Sequence, residues 1–253
     1  MKIHFLGTGT STGNPEIGCR CKVCTSSDSR DRRFRASVLV EIDGKRLLID
    51  CGPDFRMQML KVMETDYFTN LDGILITHEH YDHVGGLDDL RAFCRNGALP
   101  VYAEGNVVEA LHSRLSYVFE EHKYPGIPQL ELIPIVNQPF FVSDIKIIPI
   151  RIMHGNLPIF GYRIGTYAYL SDLKTIPEEE FEKLKDLDVL VINALRIKEH
   201  IAHENLRQAL QNIKIINPRR AYLTHVSHQF GLHAVMERNL PENIFIAYDG
   251  LVI

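Results

Sequence analysis

The stretch Thr77-His78-Glu79-His80-Tyr81-Asp82-His83 decides how this chain is read. The pattern His-x-His-x-Asp-His places three imidazoles and an aspartate within six residues. It follows Gly73-Ile74-Leu75-Ile76, an apolar run that reads as a short buried strand. It precedes Val84-Gly85-Gly86, where a helix can begin. A strand-to-helix loop can fold back so that these four side chains converge. Neutral imidazole and ionised carboxylate are ligands for zinc, manganese or iron, and the absence of sulfur leaves room for a reactive water. One histidine in a polar loop would be incidental; four metal-type side chains at this spacing point to a metal centre.

The whole chain sets the bounds. Its 253 residues suffice for a large core and are read as one domain, 1–253. Apolar residues make up 45% and charged residues 24%, the balance of an ordinary globule. A net charge of −4 argues against a broad nucleic-acid surface. No apolar run reaches membrane-spanning length, so no membrane partner is expected. Met1-Lys2-Ile3-His4-Phe5-Leu6 enters a strand pattern at once and does not read as a signal peptide, so a cytoplasmic location is expected. Five cysteines, an odd number, fit reduced thiols or metal ligands better than a disulfide framework.

Several local patterns qualify this picture. Gly7-Thr8-Gly9-Thr10-Ser11-Thr12-Gly13-Asn14-Pro15 follows the strand Ile3–Leu6 but matches no nucleotide motif, and reads as a structural turn near the site. Cys19-Arg20-Cys21-Lys22-Val23-Cys24 has metal-type spacing but is one ligand short of a closed tetrahedral zinc site; three free thiols is the alternative. Arg30, Arg32, Arg33 and Arg35 read as a solvated or salt-bridged face, with a phosphate contact left open. Ser37–Ile42 and Arg46–Ile49 read as a hairpin across Asp43-Gly44. Helices are expected over Phe55–Met63, Leu87–Phe93, Asn106–Phe119 with Asn106 as its opener, Glu178–Lys185, Glu204–Ile213 and Leu232–Asn239. Tyr124-Pro125-Gly126-Ile127-Pro128 reads as the seam between two halves, and His112 and His122 as ordinary histidines. Three isolated ligand types sit just past strand patterns: His154 after Ile145–Ile152, Asp172 after Tyr167–Leu170, and His225 after Ala221–Thr224.

Thr77 to Gly86 resembles the signature of the metallo-β-lactamase superfamily. The resemblance implies a four-layer αβ/βα sandwich with two divalent ions, manganese or zinc, at one edge. It implies that His78, His80 and His154 hold the first ion and Asp82, His83 and His225 the second, with Asp172 bridging. Asp82 then counts among the catalytic groups too. Asp50, ending a strand pattern, matches an aspartate that braces the metal loop. Two open ions leave positions for a bridging hydroxide. With Asp82 and Asp172 set against two divalent ions, the site carries about +2 and favours anionic substrates.

The cysteine loop is similar to that of PhnP-type phosphodiesterases, in which a histidine completes a structural zinc site. That position is His228, giving Cys19, Cys21, Cys24 and His228. Leu195 to His203 resembles the segment that carries a catalytic histidine in PhnP-type enzymes and in tRNA 3′-processing nucleases (RNase Z). The resemblance implies His203 as general acid, opening the following helix, with His200 in reserve; two surface histidines is the alternative. The PhnP branch implies a small cyclic phosphodiester substrate, 5-phosphoribosyl 1,2-cyclic phosphate. An RNase Z-like nuclease acting on nucleic acid is the competing reading, although no basic Gly/Pro-rich insertion interrupts the chain. The sequence is compatible with a homodimer.

Overall fold

The computed structural model describes residues 1–120, 124 and 126–253. The alternation of apolar side chains along each strand explains why two sheets pack face to face. The first sheet holds β1 (Lys2–Gly7), β2 (Ser37–Ile42), β3 (Lys45–Ile49), β4 (Gly73–Leu75), β5 (Leu99–Glu104) and β6 (Leu130–Ile135), in that order. The second holds β7 (Phe140–Val142), β8 (Ile145–His154), β9 (Leu157–Ile164), β10 (Tyr167–Leu170), β11 (Val189–Asn193), β12 (Arg220–Thr224) and β13 (Ile244–Ile246), ordered β13-β12-β11-β10-β9-β8-β7. Val38, Val40, Leu47 and Ile49 face inward and meet Tyr162, Tyr169, Val189 and Val191 of the second sheet. Their neighbours Leu39 and Leu48 face outward, and so do Leu190 and Ile192. Each such side chain, fully buried, contributes about 1.5–3 kcal/mol.

Helices cover both outer faces. α1 (Phe55–Met63) follows β3, α2 (Tyr81–Val84) follows β4, and α3 (Gly105–Arg114) and α4 (Ser116–Phe119) follow β5. Phe55 and Met59 of α1 and Val107 and Leu111 of α3 pack on Leu39, Leu48 and Ile74. α5 (Leu206–Ile216) and α6 (His233–Glu237) belong to the second half. Ala209, Ile213 and Ile216 of α5 pack on Leu190, Ile192 and Leu223. The result is the four-layer arrangement of the metallo-β-lactamase fold, helices–sheet–sheet–helices.

Strand direction positions the site. β3, β4, β5 and β6 run parallel, as do β10, β11, β12 and β13. β8 and β10 are each antiparallel to β9, so they share one direction. The C-terminal ends of β3, β4, β8, β10 and β12 therefore carry Asp50, Thr77–His83, His154, Asp172 and His225.

Local details differ from the sequence reading. The stretch 106–119 is two helices: Leu115, at φ −115°, breaks the ladder. Asn106 lies inside α3, which starts one residue earlier after Glu104 and has no side-chain cap. Glu178–Leu184 and Leu87–Phe93 are 3₁₀ turns. Glu180 is buried there, and its carboxylate accepts from Asn137 Nδ2 at 2.6 Å and Arg151 N at 2.9 Å. α5 begins at Leu206, because Asn205 caps it and Gln208 returns the bond in a capping box. His203 thus precedes the helix rather than opening it. His122 and Pro125 lie outside the described residues.

Three of the four arginines in the basic run are taken up by the protein itself. Arg30 pairs with Asp28 at 2.7 Å and Arg35 with Asp54 at 3.0 Å. Arg33 is buried, donating to Thr8 Oγ1 at 2.7 Å and Ala247 O at 2.5 Å. These pairings give no support to a phosphate contact by Arg30, Arg33 or Arg35, whereas Arg32 is exposed. The Gly7–Pro15 loop lies beside the site: Thr10 N donates to Val226 O at 3.3 Å, and Val226 N to Thr8 O at 2.9 Å.

Candidate metal centre

The site begins with three turns that the backbone adopts only under constraint. Asp50, Asp172 and His225 have φ of 61°, 57° and 55°. Left-handed backbone is uncommon outside glycine, and such residues cluster where function holds them. Each comes within two residues of its strand's end, and the reversal turns the side chain back over the sheet edge. Two glycines allow the Asp50 turn to press on the histidine loop. A Cβ on Gly52 would lie 2.1 Å from Asp82 O, and one on Gly86 would lie 2.1 Å from Gly52 O. Cys51 N donates to His83 O at 2.7 Å and Gly86 N to Cys51 O at 2.9 Å, closing the contact.

Asp50 and Thr77 fix the ring orientations. The fully buried Asp50 accepts from Thr77 N at 2.9 Å and from His83 Nδ1 at 2.7 Å. The Thr77 hydroxyl donates to Asp50 at 3.0 Å and accepts from His78 Nδ1 at 3.0 Å. His154 Nδ1 donates to Ala202 O at 3.0 Å. In all three rings Nδ1 is taken up by these partners, so Nε2 is the nitrogen that faces the cleft.

These side chains form two adjacent groups. Ligand atoms of His78, His80 and His154 lie within 4.8 Å of one another, as do those of Asp82, His83, Asp172 and His225. Asp172 also groups with His154 and His203 inside the same limit, so it stands between the two halves. His83 Nε2 is 3.1 Å from both Asp82 Oδ2 and Asp172 Oδ2, and His225 Nε2 is 3.3 Å from Asp172 Oδ1. Among the described residues, His78 Nε2, His83 Nε2 and both ring nitrogens of His225 are buried without a hydrogen-bond partner. Buried polar atoms are rarely left so. Converging imidazole nitrogens and carboxylates without hydrogen bonds fit divalent ions.

Electrostatics agree with that donor set. Burial, reinforced by His83, pushes His78 well below the usual imidazole range, so it is neutral and able to ligate. Burial opposes ionisation of Asp172, but His225 and His83 outweigh it and hold the carboxyl well below its usual range. Burial also opposes charge on His83, yet Asp172, Asp82 and Asp50 hold it well above its usual value. A proton there occupies the place a cation would take.

The segment 195–205 crosses in front of this edge without regular structure. It brings the His203 ring to 4.5 Å from His154 and 5.1 Å from His225, centroid to centroid. His203 Nδ1 is 3.7 Å from Asp172 Oδ1. Burial, partly offset by Asp172, pushes His203 down to about 3. His200 sits further out, its ring 5.0 Å from His203, with Nδ1 accepting from Ala202 N at 3.2 Å. The cleft is lined by His80, His154, Gly155, Asn156, Lys174 and Ile201, and Ile201 is 89% exposed at its mouth.

A second cluster joins the ends of the chain. Ligand atoms of Cys19, Cys21, Cys24 and His228 lie within 4.8 Å of one another, with His228 Nδ1 at 3.2 Å from Cys19 Sγ and 3.4 Å from Cys21 Sγ. Tetrahedral zinc with bonds of about 2.1–2.3 Å spaces its ligand atoms at about 3.5–3.8 Å, so four donors within 4.8 Å of one another fit it. The Cys24 N–H on its sulfur, outweighing burial, pulls Cys21 down to about 6, whereas burial pushes Cys24 up to about 12. Glu16 Oε2 sits 2.9 Å from His228 Nε2.

Sequence reasoning assigned no role to Thr77, Glu16 or Lys174. Thr77 adjoins the motif and carried a local signal. Glu16 and Lys174 reach their partners only across the fold.

Comparison with known proteins agrees with this architecture. Residues 45–226 match the model of the β-lactamase superfamily domain. A solved structure described as a new diphosphatase from the PhnP family is 38% identical, with a TM-score of 0.92, covering 100% of this chain and 96% of that one. Human tRNase Z, short form, shares the fold at TM-score 0.71 and 20% identity, covering 100% of this chain and 98% of that one. A Porphyromonas gingivalis protein named octanoyltransferase is 49% identical over 99% of this chain but 51% of its own length. The chain thus spans about half the length of that curated relative. No helix among the described residues is long and apolar enough to cross a membrane.

Proposed function

The chain belongs to the metallo-β-lactamase superfamily and, within it, to the PhnP family of metal-dependent hydrolases; from that premise we propose that it hydrolyses a small phosphodiester, a cyclic sugar phosphate being the favoured case. The observation that carries this reading is the position of Asp172, whose carboxylate lies within reach of both ligand groups and of His203. In this reading His78, His80 and His154 would hold one divalent ion and Asp82, His83 and His225 another, with the Asp172 carboxylate available to either. Two such ions would supply Lewis acidity, lowering the pKa of a water and offsetting charge on the transferring phosphoryl group.

The protein's own groups do the rest. Asp50 and Thr77 keep the Nε2 atoms of His78 and His83 aimed inward. His203 waits as a neutral ring on the open side of Asp172. Arrival of an anionic diester favours its protonated form, and the ring then delivers that proton to the departing sugar oxygen. His200 is the alternate donor. Ile201 gives the mouth an apolar edge against which the sugar packs. Cys19, Cys21, Cys24 and His228 would hold a zinc ion with no open position, a folding element rather than a reactive one.

Hydrolysis of a diphosphate is the second reading, supported by the name of the 38%-identical relative. The octanoyltransferase name belongs to a protein about twice as long, so acyl transfer has weaker support. A turnover series with manganese- or zinc-loaded protein separates these readings. The expected result is efficient hydrolysis of 5-phosphoribosyl 1,2-cyclic phosphate over nucleoside diphosphates, linear diesters, octanoyl thioesters and precursor tRNA. Preference for precursor tRNA, with no turnover of cyclic ribose phosphates, overturns it in favour of a nuclease.

Two expectations concern the supporting groups. Asp50→Ala removes the acceptor that orients His83, and such losses weaken metal binding by about 10–100-fold. Competition with a chelator measures this, and unchanged affinity contradicts the bracing role. Cys21→Ser opens a clip between residues 207 apart. Releasing a loop of that length costs about 5 kcal/mol, or about 10–20 °C in thermal midpoint. One zinc should leave with it; a variant that keeps both its zinc and its midpoint leaves the cysteines as plain thiols.

A further inference from the structure

Between β11 and α5, residues 195–205 lack a ladder to satisfy their carbonyls, so other donors must do so. Ala202 O accepts from Gly155 N at 3.2 Å and from His154 Nδ1. Lys174 Nζ donates to His200 O at 2.6 Å and to His203 O at 3.4 Å. Its remaining donor meets Gln208 Oε1 at 3.5 Å, the same oxygen that accepts from Asn205 N in the cap of α5. One ammonium therefore ties both ends of the His200–His203 turn to the first turn of the helix.

Lys174 is itself anchored to the metal edge. It stands two residues after Asp172, its N–H donates to Met153 O at 2.7 Å beside His154, and Glu204 N donates to Leu173 O at 2.8 Å. An ammonium has three N–H donors, and here all three are directed at the protein. Lys174 also lines the cleft, with the His200 carbonyl as its shortest contact.

We propose that Lys174 is a positioning residue for the proton donor: its ammonium holds the backbone of residues 200–203 so that the His203 ring stays over Asp172, between His154 and His225. The proposal rests on the reading of His203 given above. Misplacement of a reacting group by about 1 Å costs about 10²-fold, which sets the expected scale.

The test uses the metal-loaded full chain as wild type, Lys174→Met and Lys174→Arg. Lys174→Met keeps much of the aliphatic stem and removes the donors; Lys174→Arg retains cationic donors. Amide hydrogen exchange over residues 196–204 should rise at least about tenfold in Lys174→Met, with β10 amides and metal content unchanged. Its kcat on 5-phosphoribosyl 1,2-cyclic phosphate should fall about 10–100-fold, whereas turnover of bis(4-nitrophenyl) phosphate, whose leaving group needs no proton, should fall less than about threefold. Lys174→Arg should recover part of both losses. Unchanged exchange, equal losses on both substrates, or a rise in KM alone would each overturn the proposal, the last by making Lys174 a substrate contact. If wild type turns over neither diester, the phosphodiesterase reading has failed, and the exchange comparison alone decides whether Lys174 clamps the segment.

Discussion

Asp172→Asn protein is expected to fold, to lose metal from the cleft and to fall about 10³-fold in kcat/KM. Asparagine tolerates the left-handed backbone that Asp172 adopts at φ 57°. The substitution therefore removes the negative charge and leaves the turn intact. The carboxylate is 2% exposed and its oxygens face His83, His225 and His203. Metal-assisted charge stabilisation is worth several kcal/mol, and about 4 kcal/mol corresponds to about 10³ in rate. Metal analysis and steady-state kinetics on the same preparation check this. Full metal content with full activity would remove Asp172 from the centre.

His203→Ala is expected to separate substrates by their leaving groups. A sugar alkoxide departs slowly without a proton, and loss of a general acid costs about 10²–10⁴-fold. Nitrophenolate departs unaided. The variant should lose most of its turnover of 5-phosphoribosyl 1,2-cyclic phosphate, little of that of bis(4-nitrophenyl) phosphate, and no metal. Equal losses on both substrates would take the role from His203. The same selective loss in His200→Ala alone would transfer it there, although the His200 ring lies 5.0 Å beyond His203.

The parts of this architecture that follow local rules were legible in the sequence. Val38-Leu39-Val40 alternates between two cores, and Asp43-Gly44 turns the hairpin with both residues at positive φ. His78 to His83 is dense enough to announce itself. Taken alone, Asp172 and His225 are only polar residues past strand patterns, and it is the family resemblance that makes them ligands. Nothing local told that they take left-handed backbone, because that conformation is imposed by the sheet edge. The start of α5 was misplaced because Glu204 and Asn205 are both plausible openers, and only the Asn205–Gln208 box decides between them. β6 and β7 went unrecognised: Leu130–Ile135 contains a proline and Phe140–Val142 is three residues long, so neither shows a clear period. Lys174 illustrates a further limit. Its role depends on carbonyls about thirty residues away, and no spacing rule encodes that.

The cleft should hold a pair of metal ions, distinct from the one in the cysteine clip. Metal content per chain, measured on wild type, His83→Ala, Cys21→Ser and the double variant after loading and exhaustive dialysis, tests it most directly. The three ligand groups predict three ions in wild type, two in each single variant and one in the double variant, with turnover lost in His83→Ala and retained in folded Cys21→Ser. A wild-type content of one ion, or a His83→Ala protein that keeps all three ions and its turnover, would contradict the account.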